Sequence, residues 1–372
     1  MRIFYASDTR PNAAIQSNIW RRNLHDSLVS LGHDVVEFQG DLGETFRNLD
    51  PAFSDQAQFI ERNRPILSRR VVDEIKKAHQ QQPLDMFFSY FYDACITPEA
   101  LEEIRDLGIL TVNWYCNGSY QLHLVREISP HYDFCLVPEK FRMADYLDMG
   151  AHPIYCQEAA NPDFYKPYDV PRDLDVAFVG AAYGERPGAV AGLIEAGFNI
   201  RVWGPEWKNL TRAHFERTRT LRMTLGQIKR AVLRQPMPQF LPEENVGDIL
   251  SDEEVIKTFS RAKINLGFSS CGATHLTSER IVQVRLRDFE VPMSGGFYLV
   301  EHMDELSEFF ELGSEIETYT TFEEMHDKIR FYLQNESARE KIRVAGFERA
   351  RRDHTWQKRF QHSFAAMGLA TK

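Results

Sequence analysis

The 372-residue sequence predicts an α/β protein of two doubly wound parallel-sheet domains in tandem, on three observations. Short β-rich runs alternate with helix-length segments along the whole chain, the pattern of βαβ units whose parallel sheets are covered on both faces. A Pro- and Asp-dense stretch without periodicity, ANPDFYKPYDVPRD at 160–173, interrupts the alternation and reads as a linker. The length exceeds one ordinary core and fits two domains of roughly 150 to 200 residues.

The elements follow in order. RIFYA (2–6), DVVEF (34–38), DMFFSYFY (85–92), ILTVNWY (109–115), DFCLVP (133–138) and PIYCQ (153–157) are the strands of the first half, with helices expected over 13–31, 54–80, 97–107 and 138–149. After the linker come DVAFVG (175–180), a helix over 186–197, NIRVWG (199–204), a basic insert, a helix over 252–261, then KINLGF (263–268), FYLVEH (297–302) and IETYT (316–320). Helices over 322–334, 336–351 and 354–366 close the chain. The domains are drawn at 1–160 and 174–352, joined by 161–173, with the basic insert at 205–245. Such sheets bind ligands at the carboxyl ends of their strands, so two of them facing each other make a cleft.

Composition narrows the function. A net charge of −10 excludes wholesale nucleic-acid binding, which needs a basic face. No basic run followed by a long apolar stretch opens the chain, and the longest apolar runs are too short for a membrane span, so a cytoplasmic protein is expected. The five cysteines form no CxxC pair or Cys/His cluster, which favours buried reduced thiols over disulfides or a metal site. The insert departs from the acidic trend: Arg212, Arg217, Arg219, Arg222, Lys229 and Arg230 have almost no acid beside them, and 207–235 is amphipathic. Packing with solvated arginines is its first reading; an acidic acceptor or peripheral contact at the inner membrane face is the alternative.

Candidate site residues sit at strand ends. In SDTRPNAAIQSN (7–18), Asp8 and Asn12 face a hydroxylated acceptor or merely cap the helix. Asp93 after the third run, and Trp114, Tyr115 and Asn117 after the fourth, combine an aromatic platform with carboxylate and amide groups, as a sugar or another polar acceptor requires. Turn chemistry is the alternative for Asn117-Gly118. In DVAFVGAAYGERPG, Gly180 permits close backbone approach, and Tyr183 and Arg186 stand at a helix start where phosphate binds. CGATHLTSERIVQVRLRDFEVPMSGG (271–296) is the densest constellation: in a helix, Arg280, Gln283, Arg287 and Glu290 would share one face. Arginines there clamp a diphosphate while a carboxylate one turn away takes ribose hydroxyls, the needs of a nucleotide-sugar. A solvated, salt-bridged face is the alternative reading, and VQVRL also alternates like a strand.

NPDFYKP before DVAFVG, SDEEVIKTFSRAKINLGF (251–268), RDFEVPMSGGFYLVEH (287–302) and RARRDHTWQKRF (349–360) together resemble the CgeB-like, spore-maturation-type glycosyltransferases, over about residue 85 to the end. The resemblance implies a GT-B fold: two Rossmann-like domains, the donor nucleotide held by the second, the acceptor by the first, and a last helix, 353–372, crossing back to the first. It makes Glu290 the ribose carboxylate, Arg287 the Arg of the R-x-F-E motif, and Ser294, Gly295 and Gly296 a small-residue turn beside the phosphates. It also implies a metal-independent hexosyl transfer with retention from a nucleotide-sugar, UDP-linked in the first place and GDP-linked as the alternative, with no further cofactor. Related retaining enzymes carry a Glu seven residues before the ribose Glu, where this chain has Gln283. His275, Asn117 and Asp93 are therefore candidates for the polar contact at the sugar. The acceptor, whether glycan, small molecule or protein, and the oligomeric state are left open. A sugar-nucleotide epimerase of the same fold and a non-catalytic ligand-binding protein are the alternatives.

Overall fold

The computed structural model describes residues 1–8, 17–218, 240–271 and 280–369. All eleven β runs expected from the sequence form strands, β1 to β11, in two sheets. The first is ordered β2-β1-β3-β4-β5-β6, comprising Arg2–Ala6 (β1), Asp34–Glu37 (β2), Met86–Ser89 (β3), Leu110–Trp114 (β4), Phe134–Val137 (β5) and Pro153–Tyr155 (β6). The second is ordered β11-β10-β9-β7-β8, comprising Leu174–Val179 (β7), Ile200–Trp203 (β8), Ala262–Gly267 (β9), Tyr298–Glu301 (β10) and Glu317–Tyr319 (β11). Every strand pair is parallel.

Burial explains the composition of the strands. β3 is Met-Phe-Phe-Ser and every one of its residues is buried, as a parallel strand covered on both faces demands. Helix starts obey local chemistry: Thr97 caps Pro98–Arg105 by accepting from Ala100 N, with Pro98 at the first position. Ser251 and Glu254 form a capping box on Asp252–Arg261.

In both sheets the strand order reverses beside the first strand, between β1 and β3 and between β7 and β9. A crevice opens at the carboxyl ends of the strands at such a point. The last helix, Trp356–Ala366, puts Trp356, Phe360 and Phe364 into the core of the first sheet, where Trp356 meets Trp114 edge-on at 5.3 Å between centroids. On its way the chain runs alongside its own earlier crossing, with Ala160 N donating to His354 O and Trp356 N to Ala160 O. Among the described residues no helix is long and apolar enough to cross a membrane. All five cysteines are free and buried.

Candidate functional site

A cavity of about 340 Å³ occupies the crevice of the second sheet, against Gly180 and Ala181 after β7 and Gly267 and Phe268 at the end of β9. Trp20, Cys116, Asn117 and Glu158 of the first domain wall the opposite side. The floor is backbone against backbone. Gly204 has φ 131°, and a Cβ there would overlap the carbonyl oxygen of Gly180. That same oxygen accepts the indole N–H of Trp207 at 2.7 Å.

Two arginines give the cavity its character. Arg186 begins the helix Arg186–Glu195 and is 5% exposed. One of its NH groups donates to Ala181 O at 3.0 Å, its guanidinium lies 3.8 Å from the Tyr183 ring centroid, and its Nε is buried without a partner. Among the described residues no carboxylate pairs with it, and burial lowers its pKa to about 10. Arg285 immediately precedes the helix Leu286–Met293; it donates to Ser270 O and likewise keeps a buried, unpartnered Nε. Arg287, one residue inside that helix, lines the cavity and contacts Glu290. Three guanidiniums thus face two carboxylates, Asp252 and Glu158, among the described lining residues. Arg287 is paired with Glu290, and Asp288 and Glu158 act on Arg285, but Arg186 has no carboxylate partner among the described residues, and a buried cation of that kind favours an anionic ligand.

The two carboxylates differ. Asp252 stands at the start of its helix, near Leu250 and Val255. Glu158 is 7% exposed, and burial foremost, with Glu139 second, pushes its pKa up to about 8. Neither Arg285 nor Glu158 was singled out by the sequence. No local motif marks them, and only tertiary folding brings the end of β6 beside the run before Leu286.

Of the residues expected from the sequence, Gly180, Tyr183, Arg186, Gln283, Arg287 and Asn117 line the cavity. Others are corrected by their surroundings. The helical stripe from Arg280 to Glu290 does not form, because 281–283 runs extended and Val282 bridges Ser270; the helix starts at Leu286. Arg280 instead contacts Glu185 and Glu301. Glu290 is fully buried behind Arg287 and is not itself on the wall, although its Oε1 has no partner. Ser294, Gly295 and Gly296 join the helix to the amino end of β10, so they lie at the opposite end of the sheet from the crevice. There a Cβ on Gly295 would press on Pro167, and one on Gly296 on Asn265 and Val291.

In the first domain, Trp114 is core, packed between Trp20 and Trp356 with its indole N–H aimed at Cys156 O. Tyr115 is 1% exposed and off the cavity wall. Asp93 accepts backbone N–H groups from Glu127 and Ile128 at 3.3 and 3.1 Å, a loop-capping role away from the cavity. Asp8 is half-buried after β1 and not among the described lining residues. Asn12, His275 and residues 219–239 of the basic insert lie outside the described residues.

Comparison with known proteins adds to this geometry. Sucrose-phosphate synthase from Thermosynechococcus elongatus superposes with a TM-score of 0.58 at 12% identity, over 98% of both chains. HepE from Anabaena, solved in complex with UDP-glucose, gives 0.56 at 10% identity over 98% of both. This is a GT-B fold. A protein described as a UDP-N-acetylglucosamine 2-epimerase from Listeria monocytogenes gives 0.50 at 13% identity, over 98% of this chain and 95% of that one. Residues 189–365 of this GT-B chain match the family described as glycosyl transferase-like. The family match supports a glycosyltransferase, and the neighbours show its fold; the CgeB-like subtype has no separate support. No curated protein matches the sequence.

Proposed function

We propose that this chain transfers a sugar from a nucleoside-diphosphate sugar, UDP-linked in the first place, to an acceptor hydroxyl presented from the first domain. The carrying observation is the pair Arg186 and Arg285, two guanidiniums facing one cavity at a sheet switch point, each with a buried Nε left unpartnered. A diphosphate in the cavity supplies the negative charge that these two guanidiniums face. The cavity's apolar wall at Ile249, Leu250 and Val255 takes the base, with Asp252 beside it as an acceptor for a base N–H.

Arg287 and Glu290 serve the ribose in this reading: as the guanidinium turns to phosphate, Oε1 and Oε2 of Glu290 become acceptors for the ribose hydroxyls. As the sugar–oxygen bond breaks, its electron pair stays on the leaving β-phosphate and adds one negative charge to the diphosphate, where the guanidiniums of Arg186 and Arg285 already stand to stabilise it without a metal. The sugar then projects toward Asn117 and Gln283, the side on which the first domain closes. Retention, carried over from the resemblance, is part of the proposal, and anomeric analysis of the product checks it.

The test is direct. Wild-type protein should bind UDP, or GDP as the alternative base, by calorimetry. It should release the nucleoside diphosphate from its sugar only when an acceptor is added. The epimerase reading has the fold of the Listeria protein in its favour. It requires a change in the sugar with no acceptor present and no release. A chain that binds no nucleoside diphosphate refutes both.

A further inference from the structure

The proposed transfer leaves Gln283 of the second domain, an amide rather than a carboxylate, on the cavity wall beside Glu158. A much smaller void beside it, about 10 Å³, is walled in part by Cys116, Glu139, Glu158 and Gln283. Cys116, Glu158 and Gln283 line both spaces, so Glu158 sits at the seam between the first domain and the extended run before Leu286. Cys271 Sγ, held by Gln283 Oε1 at 3.2 Å and Ser119 Oγ at 3.5 Å, crosses the same seam. Asp252, the other described carboxylate of the cavity, belongs with the apolar wall at Leu250 and Val255.

A carboxyl in this place has a restricted chemistry. Facing it are Tyr90, Cys116 and Glu139 from the first domain, and Arg285, Arg287 and Asp288 from the second, and it accepts the backbone N–H of Leu286. Burial and Glu139 raise its pKa to about 8, Arg285 opposes them, and a bound diphosphate would raise it further. The group therefore meets the ligand in its neutral form, one O–H donor and one C=O acceptor. With the amides of Asn117 and Gln283 alongside, that is the partner set of a sugar hydroxyl. A phosphate would be repelled by the ionised form and is already served by the arginines.

We propose that Glu158, contributed by the first domain, recognises a hydroxyl of the donor's sugar next to Gln283. The proposal rests on the transferase reading and deepens it: sugar specificity is set at the seam between the domains, while the nucleotide is held within the second. Binding of the free nucleoside diphosphate should then be indifferent to Glu158.

Glu158→Ala and Glu158→Gln test this with UDP, GDP, UDP-glucose, UDP-N-acetylglucosamine and GDP-mannose as probes. The nucleoside diphosphate should bind both variants within about twofold of wild type, while kcat/KM for the matching sugar nucleotide falls about tenfold or more in the Ala variant. The Gln variant keeps a donor and an acceptor; it should lose less and should abolish the rise in KM that the wild type shows above about pH 8. Wild-type kcat/KM in Glu158→Ala overturns the proposal, as does an unchanged pH profile in Glu158→Gln. Should the Ala variant fail to fold, seen as loss of UDP and GDP binding, the Gln pH profile decides. A wild type that binds neither diphosphate overturns the transferase reading, and this proposal with it.

Discussion

Replacing Arg186 by methionine separates a binding guanidinium from a structural one. Burial has lowered the side chain's pKa from 12.5 to about 10, equivalent to a desolvation cost of about 3 kcal/mol for the charged form. The contact with the Tyr183 ring returns up to about 2 kcal/mol and the bond to Ala181 O about 1 kcal/mol, so the two sides nearly cancel. Methionine fills much of the same volume without a charge. The ligand-free protein should therefore keep its unfolding free energy within about 1 kcal/mol, measured by urea denaturation. Binding of UDP is a different matter, because truncating one member of a buried charge pair costs about 2 to 5 kcal/mol. At 1.4 kcal/mol per decade, that is a loss of about 30-fold or more in affinity by calorimetry. Uridine, which has no phosphate, should bind both proteins equally. A variant that loses several kcal/mol of ligand-free stability and still binds UDP normally would show that Arg186 holds the fold rather than the ligand.

Three further outcomes are expected. If Glu290 receives ribose hydroxyls, the wild type should prefer UDP over 2′-deoxy-UDP, and Glu290→Gln should lose most of that preference; equal preference in both proteins removes Glu290 from the ribose. Gly204→Ala forces a side chain onto φ 131° and against the Gly180 carbonyl, so a loss of about 2 kcal/mol or more in unfolding free energy is expected, with weakened UDP binding. Between about pH 6.5 and 8, stability of the ligand-free protein should fall as pH rises. Glu158, Glu139 and Asp93 have folded pKa values of about 8, 7 and 7, above their ordinary values, so the folded state holds protons that the unfolded chain has already released. Their contribution is whole below about pH 4 and lost through these values. His354, lowered to about 3 by burial, acts oppositely but only below about pH 6.5, so a rise in stability across the upper window would refute the burial of the three carboxyls.

The strands are readable because a parallel strand buried on both faces is an apolar run, as in Met86–Ser89. Helix starts such as Thr97 and Ser251 carry their own caps. The site was harder. Trp114 and Tyr115 stand at the end of a strand, which marks the crevice side of a sheet, yet Trp114 packs against Trp356 of the last helix and Tyr115 is buried in the first domain's core beside Tyr90. The resemblance makes Ser294 to Gly296 a small-residue turn beside the phosphates. A helix that feeds a parallel strand must deliver the chain to that strand's amino end, so these residues belong far from the ligand on topology alone. Arg285 was hidden by its neighbour: the R-x-F-E pattern drew attention to Arg287, while the residue two positions earlier sits ahead of the first helical turn, where extended backbone presents it to the cavity. Glu158 could not be seen at all without knowing which segment of the second domain lies against the end of β6.

The return of the last helix to the first sheet sets an order of events during synthesis. Trp356, Phe360 and Phe364 are built some two hundred residues after Tyr155 closes the first sheet, and the nascent first domain waits that long with the surface they cover exposed. Domains made one after another usually fold as independent units. Here the earlier one can reach its final state only after the later one has been translated, so a frameshift or truncation before Trp356 damages the domain that was made first. That exposed surface, centred on Phe88 and Trp114, is where a chaperone holding the unfinished chain would find its grip.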